Sequence, residues 1–489
     1  MSPTATIIGS GFSGLSAATS LADQGFDVTV IEKNDAPGGR ARKFETEGFV
    51  FDMGPSWYWM PDVFEKYFER FGKKPSDYYD LVRLDPSYRV YFEDEYVEMP
   101  ADMEGLKQLF ESREKGAGAK LEAFLNDAAI KYDAGINDLV HRPSLSIFEF
   151  IDWKVIKGLV QLNLFSNFKD FARKYFKDPK LLSIIEFPVL FLGAMPKETP
   201  ALYSLMNYAD LKLGTWYPMG GMHKIIEGMV ALAKEKGVKF RLSEKVERIY
   251  LNGAMNVVTD QGTIKSDYVV GGADYAHIDQ HLLDPKDRQY SPEYWEKRVM
   301  APSSLLYYVG VNKRITGLKH HNLFFDADFS VHAEEIYKTK QWPKDPLFYV
   351  CAPSVTDPSV APEGHENLFI LIPIAAGLEG DTEEVRKQYF ETVVDRIEKR
   401  TGEKIRNHIV YERSFAVREF KEEYNSFKGN AYGLANTLLQ TAFLKPRIKH
   451  KKLDHLYFTG QLTAPGPGVP PSLISGQVVA DHIVKQTLN

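Results

Sequence analysis

The sequence has very little cysteine, no long apolar run and no block of like charge. Cys351 is its single cysteine, so no internal disulfide can form. The longest apolar stretch, Leu368 to Ala376, contains Pro373 and is shorter than the about 20 residues that a membrane-spanning helix requires. No basic and apolar leader precedes the strand-like run at Ala5. We therefore expect a protein on the cytoplasmic side of the cell membrane whose membrane contact is peripheral.

The charge balance argues against a nucleic-acid partner. The 489 residues carry a formal net charge of -6 without an arginine-rich or lysine-rich block, so the basic surface that a phosphate backbone requires is missing. Hydrophobic residues make up 44% of the chain, which is enough to bury a large core. This length and composition predict an enzyme-sized globular protein of two domains.

A glycine-rich turn stands between a short strand and a helix near the beginning of the chain. Ala5 to Ile8 is apolar, and an alanine-rich segment with helical spacing follows Gly14. Gly9 permits a tight turn, Gly11 lets the backbone approach a pyrophosphate, and Gly14 lets the helix pack closely on the strand. The pattern predicts a phosphate site at the N-terminus of the helix.

A second strand completes this unit. Val28 to Ile31 alternates after Gly25 and ends on Glu32, where a carboxylate can accept a hydrogen bond from a ribose hydroxyl. The sequence therefore predicts a βαβ unit that binds a dinucleotide.

Two further motifs follow directly. They are Pro37-Gly38-Gly39-Arg40 and the turn Gly54-Pro55-Ser56, which closes a strand that begins at Phe49. Here the sequence resembles the flavin oxidoreductases that include amine oxidases, protoporphyrinogen oxidases and carotenoid desaturases. The resemblance implies non-covalently bound FAD, with Gly39 and Arg40 along the pyrophosphate and ribitol and the later turn beside the isoalloxazine. A guanidinium such as that of Arg40 also suits phosphate oxygens on its own chemistry.

The C-terminal segment supplies another part of this pattern. A strand, Leu456 to Phe458, closes on Gly460 and is followed by a proline-rich and glycine-rich loop, Gln461 to Pro471. We expect Ser472 to cap a helix that runs toward Val484 and directs its positive end at the flavin. In the middle of the chain, the resemblance implies that the backbone of Val246 touches the adenine. The full set of implied cofactor contacts is Gly9, Gly11, Gly14, Glu32, Lys33, Gly39, Arg40, Gly54, Pro55, Ser56, Val246, Gly460, Gln461 and Val469.

These motifs divide the chain into interleaved pieces. Residues 1–73, 215–289 and 446–489 are predicted to form the FAD-binding domain, and residues 74–214 and 290–445 the substrate-binding and membrane-associating domain. The fold class is α/β, a Rossmann-like FAD-binding domain with an interleaved α+β substrate domain, as in the amine oxidase-like architecture.

Within the family, the chain most resembles the bacterial phytoene desaturase type of carotenoid desaturase along nearly its whole length. The resemblance rests on Gly9 to Ala18, Pro37 to Ala41, Phe51 to Ser56, Leu84 to Arg89 and Pro465 to Pro470. It implies a long apolar carotenoid substrate and stepwise dehydrogenation of phytoene toward lycopene, with hydride transfer to flavin N5 and oxygen or a quinone as the final acceptor. Gln461, Pro470-Pro471 and the bulky Ser56-Trp57-Tyr58-Trp59-Met60 depart from the common pattern and bear on which carotenoid fits.

Other functions remain open at this point. One alternative is a desaturase of a later hydroxylated or cyclised carotenoid, of the 3,4-desaturase type. Less favoured alternatives are an amine oxidase and a flavin-free prenyl-binding escort protein. The sequence contains neither a metal-ligand spacing nor a pattern that identifies catalytic residues, and Arg142, Glu149 and Asp152 are better interpreted as surface charges.

The first insert contains an amphipathic segment of two possible meanings. Ser144 to Phe176 carries apolar stripes with lysine flanks, which suit a helix on an anionic membrane surface. A helix that faces the core is the favoured interpretation. The apolar run Pro188 to Pro196 either lines a substrate tunnel or packs in the core.

Overall fold

The computed structural model describes residues 2–146, 149, 166–190 and 195–487. In chain order the strands are β1 (Thr4–Ile8), β2 (Asp27–Ile31), β3 (Lys43–Thr46), β4 (Phe49–Asp52), β5 (Leu81–Arg83), β6 (Tyr88–Tyr91), β7 (Tyr96–Met99), β8 (Trp216–Pro218), β9 (Lys239–Arg241), β10 (Val246–Asn252), β11 (Ala254–Thr259), β12 (Gly262–Ser266), β13 (Tyr268–Gly271), β14 (Ser303–Val311), β15 (His321–Phe324), β16 (Phe348–Cys351), β17 (Glu366–Ile374), β18 (Ile409–Phe415) and β19 (Leu456–Phe458). The longer helices are α1 (Phe12–Asp23), α2 (Pro61–Glu69), α3 (Met103–Arg113), α4 (Ala117–Asn137), α5 (Pro179–Leu190), α6 (His223–Glu235), α7 (Glu383–Thr401), α8 (Val417–Tyr424) and α9 (Val469–Thr487).

A parallel sheet of order β19-β13-β1-β2-β9 carries the glycine-rich turn. The last four of the five residues of β1 are buried, because helices cover the sheet. α1 packs against α9, where the Ser16 hydroxyl donates to the carbonyl of Leu473. The first and last segments of the chain therefore meet at the carboxyl end of this sheet, where α/β folds bind their ligands.

A seven-stranded mixed sheet of order β18-β14-β17-β16-β15-β6-β7 forms the second layer. All nine residues of β14 are buried, because the strand has a hydrophobic cluster on each face. Leu306 and Tyr308 point into the large cluster shared with the parallel sheet, and Leu305 and Tyr307 point into a cluster on the other face.

The strands of the parallel sheet all come from the three segments assigned to the cofactor domain, and the seven-stranded sheet comes from the two inserts. The residue limits of the domains stay a prediction. A small antiparallel sheet, β10-β11-β12, packs beside the parallel sheet through a third cluster that contains Val246 and Ile8.

The C-terminal helix begins earlier than the sequence predicted. α9 starts at Val469, and the backbone N–H of Ser472 donates to the carbonyl of Gly468. Ser472 therefore lies inside the first turn and is not the cap. Pro470 and Pro471 fit this first turn because a proline there loses no helical hydrogen bond.

The amphipathic segment of the first insert lies partly outside the described residues, which omit 147–148, 150–165 and 191–194. In its described part, Phe168 and Phe171 are buried in the large cluster, as a core-facing helix requires. Among the residues that the structure describes, none of the helices has both the length and the apolar character to cross a membrane.

Candidate cofactor and substrate site

The glycine-rich turn leaves open space in one place and is tightly packed in another. A Cβ on Gly14 would lie 2.0 Å from the carbonyl oxygen of Gly9, so only glycine fits. A Cβ on Gly11 would meet no protein atom within 4 Å. Gly11 is also the residue that precedes α1, so the open space lies at a helix N-terminus, as an anion site requires.

The Gly-Gly-Arg segment and the later Gly-Pro-Ser turn reach the same place. A Cβ on Gly39 would lie 3.5 Å from the Cα of Gly11. A Cβ on Gly54 would lie 2.5 Å from the carbonyl oxygen of Arg40. Three segments that are separated in the sequence thus form one continuous backbone surface.

The C-terminal loop closes this surface from the other side. Gly460 has a φ of 104°, which favours glycine, and a Cβ there would lie 3.1 Å from the hydroxyl of Ser13. The Gln461 amide donates to the Asn430 side chain at 3.1 Å. Gly54 therefore contacts the Gly39-Arg40 segment that lies against Gly11, and Gly460 lies beside Ser13 in the first turn of α1.

The remaining predicted cofactor contacts differ in whether their side chains already have partners within the protein. Glu32 is buried and already accepts hydrogen bonds from Ser10 and Asn34. The Lys33 ammonium donates to the carbonyl of Glu422 at 2.8 Å, and burial lowers its pKa. Val246 starts β10 and is buried beside Ile8 and Ile31, next to the end of the parallel sheet.

Arg40 tests whether the site fits an anionic dinucleotide. Its guanidinium donates through Nη2 to the hydroxyl of Ser426 at 2.9 Å and to the carbonyl of Asn430 at 3.2 Å. Its Nε is buried without a hydrogen-bond partner among the described residues. An arginine with an unused buried donor next to the open space at Gly11 suits a phosphate oxygen. The residues present therefore fit FAD.

Sequence reasoning missed the segment that supports Arg40. Ser426 and Asn430 accept hydrogen bonds from its guanidinium. The centroid of the Tyr424 ring lies 5.4 Å from the guanidinium carbon, and Asp274 is the nearby carboxylate. The spacing of Gly429 and Gly433 around Asn430 was the signal that could have shown a backbone turn there.

A wall of aromatic side chains begins directly after the Gly54-Pro55-Ser56 turn. Trp57 stacks on His321 with ring centroids 4.0 Å apart and an interplanar angle of 12°. Tyr88, Phe187 and Tyr349 surround the same indole at 5.4 to 5.9 Å. We call these five residues the aromatic wall. Trp57, Tyr88 and Phe187 come from the first half of the chain, whereas His321 and Tyr349 lie on β15 and β16, so both inserts contribute.

A small cavity of about 20 Å³ lies between the turn and the seven-stranded sheet. Its lining includes Gly54, Pro55 and Ser56 from the turn and Cys351 and Phe369 from the seven-stranded sheet. The predicted flavin turn therefore faces the predicted substrate domain across an apolar gap.

Two buried ionisable groups lie close to these surfaces. Burial raises the pKa of Asp210 to about 7, and the hydroxyl of Tyr88 in the aromatic wall donates to this carboxyl at 2.8 Å. Burial lowers the pKa of Lys445 to about 7, and its Nζ donates to Asn436 at 2.8 Å. A Cβ on Gly466 of the C-terminal loop would lie 3.1 Å from the Lys445 nitrogen.

The charged residues of the first insert have structural partners. Glu149 accepts hydrogen bonds from the backbone of Ser144, Leu145 and Ser146, and Arg142 pairs with Asp138. Asp152 lies outside the described residues. His223 begins α6 and bonds to the carbonyl of Ala41 at 2.7 Å. These contacts hold the chain in place and do not identify a catalytic group.

The chain is similar to known proteins over nearly its whole length. The model of the family "flavin containing amine oxidoreductase" matches residues 12–484. The chain is 44% identical over 484 residues to a carotenoid 3,4-desaturase of Haloarcula japonica, covering 98% of each chain. It is 32% identical to a zeta-carotene-forming phytoene desaturase of Myxococcus xanthus, covering 98% of this chain and 93% of the relative. It is 31% identical to a 4,4'-diapophytoene desaturase of Staphylococcus aureus, covering 98% of each.

Solved structures show the same architecture at low identity. A putative protoporphyrinogen oxidase from Exiguobacterium aligns with a TM-score of 0.62 at 15% identity, covering 99% of each chain. Putrescine oxidase bound to putrescine aligns with a TM-score of 0.60 at 15% identity, also covering 99% of each chain. At these identities the likeness supports the fold alone, and it confirms the predicted fold class.

Proposed function

Since the chain belongs to the flavin-containing amine oxidoreductase family and, within it, to the carotenoid desaturases that use FAD, we propose that it is a carotenoid 3,4-desaturase. Its substrate would be a long carotenoid that already carries an extended polyene. Its product would have one further carbon–carbon double bond near the end of the chain.

One observation carries this proposal. Identity to the Haloarcula carotenoid 3,4-desaturase is 44%, compared with 32% and 31% to the two relatives named for phytoene and diapophytoene. The sequence pattern favoured phytoene, and the comparisons support the alternative better. Desaturation of phytoene is the second candidate because the relative at 32% identity is named a phytoene desaturase.

The protein's own residues would bind the cofactor through backbone and through one cation. Gly11 leaves room for the pyrophosphate with Gly39 packed against it, and the Nε of Arg40, which has no hydrogen-bond partner among the described residues, would bind a phosphate oxygen. When bound, FAD supplies the two-electron acceptor for the hydrogen that leaves a carbon of the substrate. The proline-rich loop and the Gly54-Pro55-Ser56 turn would exclude water from the bound cofactor.

The substrate offers no strong polar group, so recognition must come from apolar area. Burial of such surface contributes about 25 cal/mol per Å², and aromatic walls are typical of sites for apolar ligands. The aromatic wall meets the flavin turn at Ser56 and Trp57. It would hold the end of the polyene at the place where the new double bond forms.

Membrane association and the electron acceptor are parts of the same proposal. A carotenoid of this length is stored in a bilayer, so we propose a peripheral position on the cytoplasmic side of the membrane. Oxygen or a quinone would reoxidise the flavin. Flotation with liposomes of anionic lipid tests the first point, and anaerobic turnover with an added quinone tests the second.

The decisive experiment is pigment analysis in two bacterial hosts, one that accumulates phytoene and one that accumulates lycopene. We expect the lycopene host to form a carotenoid that has two hydrogens fewer than lycopene and an absorption maximum at longer wavelength. The new double bond should lie at C3–C4. Phytoene should remain unchanged. The Gly11→Ala chain, which we expect to fold without flavin, is the matched control. Conversion of phytoene with no change in lycopene would contradict the proposal and favour the second candidate.

A further inference from the structure

Two histidines and the single cysteine of the chain meet on neighbouring strands. His321 begins β15 and His320 directly precedes it, and Cys351 ends β16, opposite His321 in the sheet register. All three are buried, with exposed fractions of 3%, 0% and 4%. One ring nitrogen of each histidine and the sulfur of Cys351 lie within 4.8 Å of one another.

A hydrogen bond at Nδ1 fixes the orientation of each imidazole, as it does in metal-binding histidines. The Nδ1 of His320 bonds to the hydroxyl of Thr356 at 2.8 Å, and the Nδ1 of His321 bonds to the hydroxyl of Tyr349 at 2.6 Å. Among the described residues, neither Nε2 has a hydrogen-bond partner. In metal sites an outer hydrogen-bond acceptor, commonly a carboxylate, a backbone carbonyl or water, holds the ring nitrogen that does not bind the metal, and the two hydroxyls can do the same here.

A buried polar atom without a hydrogen-bond partner costs free energy. Among the described residues, each of the two rings has one such nitrogen, and a ring nitrogen of each lies within 4.8 Å of the Cys351 sulfur.

We propose that His320, His321 and Cys351 form a binding site for a borderline or soft cation of the zinc class. Imidazole and thiolate are the ligands that such cations prefer, whereas Mg²⁺ and Ca²⁺ prefer oxygen. The cation displaces the proton of the Cys351 thiol, which leaves as H⁺ to solvent, and a metal–sulfur bond forms. The reaction requires neither an oxidant nor a reductant.

The geometry needs a modest adjustment. In a tetrahedral zinc site the ligand atoms lie about 3.3–3.7 Å apart, so separations of up to 4.8 Å need to close by no more than about 1.5 Å. Three protein ligands leave the fourth position to water. Cys351 also lines the cavity of about 20 Å³ beside Ser56, which is roughly the space for one water molecule.

The position of the site predicts what occupancy does. His321 stacks on Trp57, and Trp57 follows the Gly54-Pro55-Ser56 turn. A bound cation would therefore fix the seven-stranded sheet against this turn. The proposal concerns cation binding and holds whichever carotenoid is the substrate.

The test is zinc binding by the untagged holoprotein. We expect about one Zn²⁺ per chain by mass spectrometry of the metal, with an affinity measured against a chromophoric chelator. Since loss of a second-shell partner costs 10–100-fold in affinity, loss of a direct ligand in Cys351→Ser or His320→Gln should cost about 100-fold or more. Co²⁺ should give a sulfur-to-metal absorption band in the wild type that is absent in Cys351→Ser.

The matched control is His332→Gln. His332 is buried like the other two, but both its nitrogens already have partners, Pro373 and the backbone of Leu347. It should bind zinc as the wild type does. Flavin content and thermal unfolding are measured for every variant first. If a ligand variant does not fold, Tyr349→Phe keeps all three ligands and should weaken binding 10–100-fold.

Several results would overturn the site. They are zinc content at the buffer background in the wild type, unchanged affinity in Cys351→Ser and His320→Gln, an equal loss in His332→Gln, and displacement of zinc by Mg²⁺ at similar concentration.

Discussion

The glycine-rich turn and the aromatic wall are both tightly packed, but the packing is of different kinds. At the turn, backbone meets backbone, and a Cβ on Gly14 would lie 2.0 Å from Gly9. At the wall, rings meet rings at 4.0 to 5.9 Å. A backbone contact accepts only glycine, whereas a ring contact accepts other side chains of similar volume. The turn is therefore visible in the sequence, and the wall is not.

Gly14→Ala should have the largest effect, because no rotamer can move a Cβ away from the Gly9 carbonyl. We expect the free energy of unfolding to fall by about 4 kcal/mol or more, at the upper end for single substitutions, measured by thermal and urea unfolding. Gly25→Ala is the matched control, since a Cβ there meets no atom within 4 Å. It has a φ of 85°, so it should lose only about 1–2 kcal/mol. Equal losses in both variants would show that strain, rather than contact, governs the turn.

Gly11→Ala separates cofactor binding from folding at the same turn. The added Cβ meets no protein atom within 4 Å, so the free energy of unfolding without flavin should change by less than about 1 kcal/mol. The methyl group occupies the space left for the pyrophosphate. We expect the Kd for FAD, measured by flavin fluorescence, to rise about 100-fold, or about 2.7 kcal/mol. If Gly11→Ala retained the flavin content of the wild type, the pyrophosphate would have to bind away from Gly11.

The sequence was sufficient where one residue type is required. β1, α1, β2 and β19 lie within a few residues of their predicted bounds, because glycine punctuation and apolar runs define them. It was wrong about the start of α9, because a serine cap at Ser472 and a proline start at Val469 are both acceptable helix beginnings.

Contacts between distant segments could not be predicted. Ser426 and Asn430 hold Arg40, but serine and asparagine are common turn residues anywhere in a chain. His320, His321 and Cys351 have no metal-ligand spacing in the sequence and meet only because β15 pairs with β16. Tertiary pairing, rather than local pattern, creates such sites.

Asp210→Asn tests the hydrogen bond between the aromatic-wall residue Tyr88 and the buried carboxyl of Asp210. Burial raises the pKa of Asp210 from 3.8 to about 7, so between these values the folded state keeps a proton that the unfolded state loses. The contribution of this group to stability therefore falls as the pH rises from about 4 to 7, and it stays low above 7.

Asparagine cannot ionise and still accepts the hydrogen bond from Tyr88. We expect the free energy of unfolding of Asp210→Asn, relative to the wild type, to increase on the order of 2 kcal/mol from pH 5 to pH 8. The exposed helix cap Asp102 is the control, because Asp102→Asn should show no such change across this range. A difference independent of pH would mean that the Asp210 carboxyl is already ionised in the folded protein at pH 5.

Trp57→Phe should have the smallest effect on stability and a distinct effect on product. Phenylalanine keeps a ring against His321 and removes part of the indole, so we expect a loss of about 1 kcal/mol and unchanged flavin content. The space gained lies where the wall meets the flavin turn, so carotenoids with bulkier ends should be accepted, and the ratio of products measured by chromatography should shift.

Trp295→Phe is the matched control, because Trp295 is buried against Asp279 in a separate cluster. It should lower stability at least as much without changing the ratio. Two outcomes would contradict this prediction: an equal shift of the product ratio in Trp295→Phe, or an unchanged ratio in Trp57→Phe. Either would mean that the aromatic wall determines stability rather than substrate choice. The wall and the glycine-rich turn would then differ only in how they pack.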